Sequence, residues 1–423
     1  MAEESRYLTT EERKTEEKKP VRLAIHVTLR VALLTFAAAI CLYMEYHMFR
    51  STPGVDFEHY YAAAQMVRRG AASQLYEPAV QYRFQVRYSR SWGPLFNYPA
   101  VAVLLYWPTA YFTLNHAYLL WASICLAVTI GCILLIGHTF RISKDVCFPP
   151  LVAMLFLPLH SAQRAGQTDA FVLLAYVLAL VALKSERPVL AGVALALGLV
   201  KFNLVLPFVF IMLLRRQWRF VSGFAVGSVL MVAASVAVAG RSLFTAYPKL
   251  LLTMQSLPKG GFYPRWMPNV RGLFFLIAGH EPPFWIAIVV GLPMCIWIAR
   301  RWVTLETGFS AALTITLLTT YHSYPHDLLL LLIPITLAAN VLPRDVPTAV
   351  VFALLALLPY ICIDRNCFAL LCAPMFLLTW LLVRRPSGEY DVSVRDDYSP
   401  SGTRTNVTGD AHVKTPPLIQ YEG

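Results

Sequence analysis

The sequence predicts an all-α, polytopic membrane protein with roughly 11–13 transmembrane helices and interfacial helices in its first external loop. Three observations carry that expectation. Of 423 residues, 57% are hydrophobic and 14% charged, where a soluble domain carries roughly 25% charged residues. Mean hydropathy is +0.55. Apolar runs close to the length that crosses a bilayer, about 18 residues, recur from "VALLTFAAAICLYM" (31–44) to "CFALLCAPMFLLTWLLV" (367–383).

Taken in order, residues 1–23 read as a disordered cytoplasmic N-terminus, since 1–30 hold seven Lys/Arg against six Glu and lack the apolar content to build a core. Residues 1–22 contain no small-residue cleavage site, so the first span, 24–49, is expected to stay as an anchor. Further spans are placed at 98–113, 115–138, 148–162, 168–184, 188–214, 218–240, 282–300, 303–321, 326–342, 346–363 and 367–383. The transmembrane body is thus 24–383, with external loops 50–97 and 241–281. The tail, 384–423, holds five basic and six acidic residues and reads as a second disordered cytoplasmic segment. The whole net charge of +12 therefore lies between 31 and 383.

Lys and Arg favour the cytoplasmic side of short loops. "RRQWR" (215–219), "RRW" (300–302), "PRD" (343–345) and "RRP" (384–386) alternate correctly with both termini cytoplasmic. Loops 50–97, 241–281, 321–326 and 364–366 then lie outside. Arg141/Lys144 and Lys184/Arg187 break the alternation, because strict counting places them outside. Two breaks restore it: 98–113 as a short non-crossing helix, and an interruption of 188–214 at "VKFN" (200–203). No repeat of 20–50 residues is visible, which weighs against a transporter built from internal repeats. The eight cysteines are scattered without C-x-x-C or metal spacing and read as small buried hydrophobes. Cys362 and Cys367, flanking a short loop, leave a disulfide open.

The external loops are too basic for their side. Loop 50–97 holds six basic and three acidic residues, and 241–281 five basic and one acidic. Long loops translocate regardless of charge, which is one account. The other is an anionic ligand at the outer surface, such as a lipid-borne phosphate gripped by arginine forks. After the Pro53–Gly54 turn, the spacing of Phe57, Tyr60, Tyr61, Ala64 and Val67 predicts an amphipathic helix lying on the membrane. Asp56 stands at its N-terminus, with Glu58 two residues on. A carboxylate there caps a helix by default, yet its place just outside the first span also suits a catalytic base. A second interfacial stretch, "YEPAVQYRFQVRYSRSW" (76–92), follows.

A D-x-E pair directly after the first span, inside a large external loop with interfacial helices, resembles the GT-C glycosyltransferases. More specifically, the chain resembles the bacterial polyprenol-phosphate-mannose-dependent α-mannosyltransferase family over roughly residues 30–385. The resemblance rests on "VDFEHYYAAAQMV", "NYPAVAVLLYWP" (97–108), "RAGQTDAFVLLAYVLAL" (164–180), "AGVALALGLVKFNLVLPFVFIMLLRRQWR" (191–219), "MPNVRGLF" (267–274) and "SYPHDLLLL" (323–331). Where that family carries an Asn-type ending after its Gly-Gln pair, Thr168–Asp169 stands here. The resemblance implies a GT-C-like catalytic body that moves a sugar, mannose first among the candidates, from a polyprenyl-phosphate donor to a glycolipid or glycan acceptor. It implies the outer face of a bacterial inner membrane, inversion by single displacement, and membrane lipids as surroundings. No cofactor and no nucleic-acid partner are expected, and the chain is expected to act as a monomer. A transporter or flippase of an anionic lipid-linked substrate stays open, as does a structural subunit of an envelope-polysaccharide complex.

Displacement at the sugar of a phosphate diester donor releases a stable phosphate anion, so the reaction needs a base for the acceptor hydroxyl and fixed positive charge for the phosphate. Asp56 is the expected base, with Glu58 beside it in the substrate site. Arg265 and Arg271, in the proline-broken "YPRWMPNVRG" (263–272), are the expected phosphate partners. Arg271 comes first because it enters a short helix at 271–279, whose N-terminus favours anions. Lys201 interrupts an apolar run, and intramembrane charge points to function, although a lysine snorkelling from a misplaced boundary is the plainer account. Arg164 and Gln167 flank Gly166 in a similar break and join the substrate-binding candidates. Pro325 biases Tyr324 away from helix, so His322 and His326 do not share a helical face. That removes an i,i+4 zinc pair, and no metal site is expected. Asp327 then sits in the first turn of the next span, where a carboxylate complements the helix dipole. His326, facing the Asp56 compartment, is the second candidate for proton acceptor, and His322 for substrate contact.

Overall fold

The computed structural model describes residues 55–88, 95–142, 156–256, 263–343 and 345–384, with isolated helical positions at 35, 39, 43 and 46. The expected disordered ends, most of the 24–49 span and Lys144 lie outside the described residues. Every regular element among the described residues is helical. That is what hydrocarbon demands, because a helix satisfies its own backbone where water cannot. In chain order the helices are α1 (Val55–Arg68), α2 (Pro78–Gln85), α3 (Ala102–Tyr106), α4 (Leu114–Thr139), α5 (Leu157–Ala165), α6 (Asp169–Lys184), α7 (Pro188–Ala196) and α8 (Phe202–Leu214). There follow α9 (Trp218–Ala239), α10 (Ser242–Ser256), α11 (Val270–Ala278), α12 (Phe284–Arg300), α13 (Leu305–Thr319), α14 (Leu332–Val341), α15 (Val346–Arg365) and α16 (Cys372–Arg384).

By length and composition four described segments can cross a membrane: Leu114–Thr139, Pro188–Leu214, Trp218–Ala239 and Val346–Ile363. Shorter apolar helices accompany them at Ile288–Arg300, Leu305–Thr319, Pro325–Val341 and Phe368–Arg384. Large apolar side chains face outward on these helices, among them Val229 and Leu230 on α9 and Leu357 and Ile361 on α15. Such exposure is costly in water and ordinary against lipid.

Contacts sort the helix ends into two groups. At one end, Lys184 at the close of α6 pairs with Glu306 in the first turn of α13 at 2.8 Å and lies over the Phe140 ring just past α4. Arg215, just past α8, donates to the Ala299 carbonyl at 3.2 Å and stacks on Trp302. At the other end, Tyr118 near the start of α4 reaches the Gln163 carbonyl at 3.3 Å. There too Asn203, at the start of α8, donates to the His322 carbonyl beyond α13 at 2.6 Å.

Two expected spans are corrected by these contacts. Residues 188–214 do not cross once. The chain leaves the Lys184 end, reaches the Asn203 end, and returns to Arg215 beside Trp302. A methyl placed on Gly198 would sit 2.9 Å from the Val205 side chain, yet seven residues of straight helix separate their ends by about 10.5 Å. The helix therefore folds back at Lys201, whose φ of −125° and ψ of 71° leave the helical region. Tyr176 secures the turn by donating to the Leu204 carbonyl at 2.6 Å, and its ring packs edge-on against Phe208 and Phe309.

Residues 98–113 are no span either. They form α3 and a five-residue 3-10 turn, Trp107–Tyr111. The Ala110 carbonyl accepts from Gln65 and Arg68, and the Phe112 carbonyl from Tyr61, so the segment lies along α1. Both breaks suspected from charge placement are thus present, and together they gather Arg141, Lys184, Arg187, Arg215, Arg300 and Arg301 at one end.

Helix α1 forms with Phe57, Tyr60, Tyr61 and Ala64 buried, but its apolar face is covered by protein. Phe57 packs edge-on against Tyr118, and Tyr60 stacks on Tyr106, which stacks on Trp121 at 3.9 Å. Each such ring pair adds about 0.5–1.5 kcal/mol beyond its buried area. Cys362 and Cys367 are free thiols.

Candidate functional site

Three interruptions of helix meet at the Asn203 end of the body, and each is written in the local sequence. Helix α5 stops at Gly166, which adopts φ +69°; a side chain there would also meet Phe57 Cβ at 2.5 Å. Only glycine tolerates both demands, and the tight exit carries Gln167 to the start of α1. The second interruption is the fold-back at Lys201. The third is Tyr324–Pro325, where proline opens the 3-10 turn Pro325–Leu331 and Asp327 closes it by accepting from the Tyr324 amide at 2.6 Å.

Asp56 and Gln167 form the first cluster. The Gln167 amide donates to Asp56 Oδ2 at 2.7 Å. Its carbonyl oxygen accepts from both Tyr60 and Tyr98 hydroxyls, at 3.0 and 2.9 Å. With two hydroxyls on one side and a carboxylate on the other, the amide has one consistent orientation. Among the described residues no other group bonds to Asp56, so one carboxylate oxygen is left for a ligand. Burial holds the Asp56 carboxyl above its ordinary range, opposed by the Gln167 hydrogen bond and the charge of Lys201.

The second cluster is ionic. The Lys201 ammonium lies 2.8 Å from Asp169 Oδ1 and 2.7 Å from Asp327 Oδ1, with all three side chains at most 5% exposed. His326 Nε2 is 3.8 Å from the same Asp327 oxygen. Ligand atoms of Asp169, His326 and Asp327 fall within 4.8 Å of one another, a donor set that would suit a divalent ion. The ammonium already bonds one oxygen of each carboxylate, however, and its charge would repel a second cation at that distance. The cluster therefore fits a lysine better than a metal.

A third group approaches from the 263–281 segment. Arg271 is buried, stacks over Tyr321 at 4.2 Å, and pairs with Glu281 at 2.6 Å. The Tyr263 amide donates to the Tyr324 hydroxyl at 3.1 Å. The charges of Arg271, Asp327 and Asp56 all act on that hydroxyl, so the three groups lie within electrostatic reach of Tyr324. His322, in the loop beside them, packs edge-on against Tyr324. Burial, helped by the charges of Arg271 and Lys201 and opposed by Asp327, pushes its imidazole down to about 4, so it is neutral near pH 7.

Of the residues expected from sequence, the structure gathers Asp56, Gln167, Lys201, Arg271, His322 and His326 at this end. Glu58 is half-buried on α1, and the Arg164 and Arg265 side chains are exposed, Arg265 lying over the Phe275 ring. Sequence reasoning missed Tyr60, Tyr98, Asp169, Tyr324 and Glu281 as participants and read Asp327 only as a helix-end carboxylate. Asp169 had a signal: a carboxylate three residues past a helix-breaking glycine, opening a strongly apolar helix.

A family model described as Glycosyltransferase family 87 matches residues 96–334, more than half of the chain. No curated protein and no solved structure matches the chain. The matched stretch contains Gln167, Asp169, Lys201, Arg271, His322, His326 and Asp327; Asp56 and α1 precede it.

Proposed function

Since the chain belongs to glycosyltransferase family 87, and is thereby a membrane glycosyltransferase of GT-C type, we propose that it moves mannose from a polyprenyl-phosphate donor to a lipid or glycan acceptor, with Asp56 as the base. The observation that carries this reading is that Asp56 and Arg271 stand at the same end of the body, both within electrostatic reach of Tyr324. The carboxylate is desolvated and keeps one free oxygen, and the guanidinium is buried.

In this reaction the acceptor O–H bond breaks and its proton passes to Asp56 Oδ1. The acceptor oxygen bonds to the anomeric carbon from one face as the carbon–phosphate oxygen bond breaks on the other. That is a single displacement with inversion. The phosphate keeps the electron pair and leaves as an anion beside Arg271. Raised proton affinity makes Asp56 a stronger base than a solvated carboxylate, and Gln167 fixes which of its oxygens is used. Lys201 sets the geometry: clamped between Asp169 and Asp327, it ties the Gln167 segment to the Pro325 turn. His322 and His326, in the same loop and turn as Tyr324, serve as sugar or phosphate contacts.

The arginine-rich end takes the cytoplasmic side by the positive-inside rule, which puts the site and both long basic loops on the outer face of the inner membrane. His280 and Arg301 are exposed at opposite ends. In a background without other cysteines, an impermeant thiol reagent is expected to label His280→Cys in intact cells and Arg301→Cys only after permeabilisation. The reverse pattern rejects the sidedness.

The function is tested by incubating purified protein with radiolabelled decaprenyl-phosphate mannose and membrane lipids. Asp56→Asn keeps the shape of the side chain but cannot take a proton, and the loss of a general base costs about 10²–10⁴-fold. Transfer should therefore fall at least about a hundredfold while donor still binds. If Asp56→Asn turns over normally and His326→Ala is dead, the base is His326. Movement of the lipid across vesicles without any sugar transfer would favour a flippase instead.

A further inference from the structure

The contact between Arg271 and Glu281 is asymmetric in a way that a purely structural ion pair is not. The Arg271 side chain is 5% exposed and that of Glu281 is 49% exposed. A guanidinium carries five N–H donors in a fixed fork. Here Nη2 meets one carboxylate oxygen at 2.6 Å and Nη1 makes only a long 3.5 Å contact to the Tyr321 carbonyl. The buried Nε–H has no hydrogen-bond partner among the described residues. A buried donor left unpaired is destabilising. The site thus holds more donor capacity than its internal partner uses.

The chain around Glu281 is built to release it. Gly279, at φ +74°, ends α11, and Pro282 and Pro283 lead into α12, so Glu281 stands on a short connection outside both helices. Its carboxylate can swing into water at little cost, since it is already half solvated. Arg271 cannot follow, because Tyr321 covers its face and Asn269 caps the helix that carries it, accepting from the Gly272 amide at 2.9 Å. A buried arginine needs a counter-charge at all times. A phosphate diester brings that charge with two oxygens spaced for the fork, where the present carboxylate uses one.

We propose that Glu281 is the resting counter-ion of Arg271, exchanged for the phosphate of the lipid-linked donor on binding and returned when the lipid phosphate leaves. The assignment rests on the donor class proposed above. The exchange keeps a buried cation neutralised through the cycle, lowers affinity for the spent lipid phosphate, and so favours product release. It also accounts for the acidic residue that closes the otherwise basic 241–281 loop.

The exchange is testable without sugar transfer, by measuring binding of decaprenyl phosphate to the purified full-length protein. Glu281→Gln removes the competing charge while keeping size, and its dissociation constant for decaprenyl phosphate should fall about fivefold, the worth of a partly exposed ion pair. Binding of uncharged decaprenol should be unchanged in the same variant. Arg271→Gln should weaken decaprenyl phosphate binding at least about tenfold, with decaprenol again unaffected. An unchanged or weakened decaprenyl phosphate affinity in Glu281→Gln overturns the proposal, because a structural pair has nothing to yield. Inorganic phosphate should compete only at far higher concentration than the lipid; competition at equal concentration overturns the lipid-linked assignment. If decaprenyl phosphate behaves as expected but no sugar is ever transferred, the exchange stands and the proposed reaction falls. If sugar is transferred but Glu281→Gln binds decaprenyl phosphate no tighter than wild type, the reaction stands and the exchange falls.

Discussion

The two ends of the helical body carry similar residues under opposite rules. At the arginine-rich end, Lys184 is 45% exposed in its pair with Glu306, and Arg215 and Arg384 rest on the rings of Trp302 and Trp380. Water reaches Lys184 and Arg384, so they need no exact partner and can serve mainly to fix which side they occupy. At the opposite end, Asp169, Lys201 and Asp327 are sealed from solvent and bonded to one another at 2.7–2.8 Å. There a charge is stable only while its partners remain, because desolvation costs several kcal/mol per ion. A membrane protein can thus place charge cheaply at its rim, whereas interior charge requires a complete network.

The largest effect is expected from removing a lysine at each end. Lys201→Met leaves two buried carboxylates facing each other, and a loss of about 3–5 kcal/mol is expected. Lys184→Met should cost less than about 1 kcal/mol. Thermal unfolding in detergent checks both. Equal shifts in midpoint would show that the inner cluster is as solvated as the outer pair, and Lys201 would then be free to meet substrate phosphate directly.

A smaller effect concerns the site end alone. As the proposed base Asp56 must be ionised, and its proton affinity is already raised by burial, so the acidic limb of the rate profile should lie above the ordinary carboxylate range. Gln167→Glu keeps both tyrosine hydroxyls satisfied but sets a second carboxylate 2.7 Å from the first. Two carboxyls at that distance share a proton, and the last ionisation of the pair rises. The acidic limb of kcat should move to higher pH by about one unit or more, with the plateau at high pH less affected. An unmoved limb would mean that Gln167 does not touch the group whose ionisation controls the rate.

Much of this architecture is legible in the sequence. The helical class follows from apolar runs that must satisfy their own backbones. The place of α1 follows from the spacing of Phe57, Tyr60, Tyr61 and Ala64, and the break before Pro325 from proline sterics. The candidates Asp56, Gln167, Lys201, Arg271 and His326 stand out as polar residues in apolar or turn settings. Their partnerships do not. Gln167 lies 111 residues from Asp56, and Lys201 lies 126 from Asp327, and no local pattern encodes such pairings. Covering α1 with protein rather than lipid is equally out of reach, since an amphipathic helix shows the same pattern against either.

The fold-back at Lys201 marks the boundary most clearly. Hydropathy counts how many residues prefer hydrocarbon and is blind to direction, so a 27-residue apolar segment satisfies it equally as one crossing or as two short ones. Residue order alone establishes that 188–214 belongs in an apolar setting and that a charge interrupts it. That the chain turns there is a matter of packing in three dimensions. The partners that make the turn stable, Asp169 on one helix and Asp327 on another, arrive from distant parts of the chain, and a buried ammonium goes where its carboxylates are.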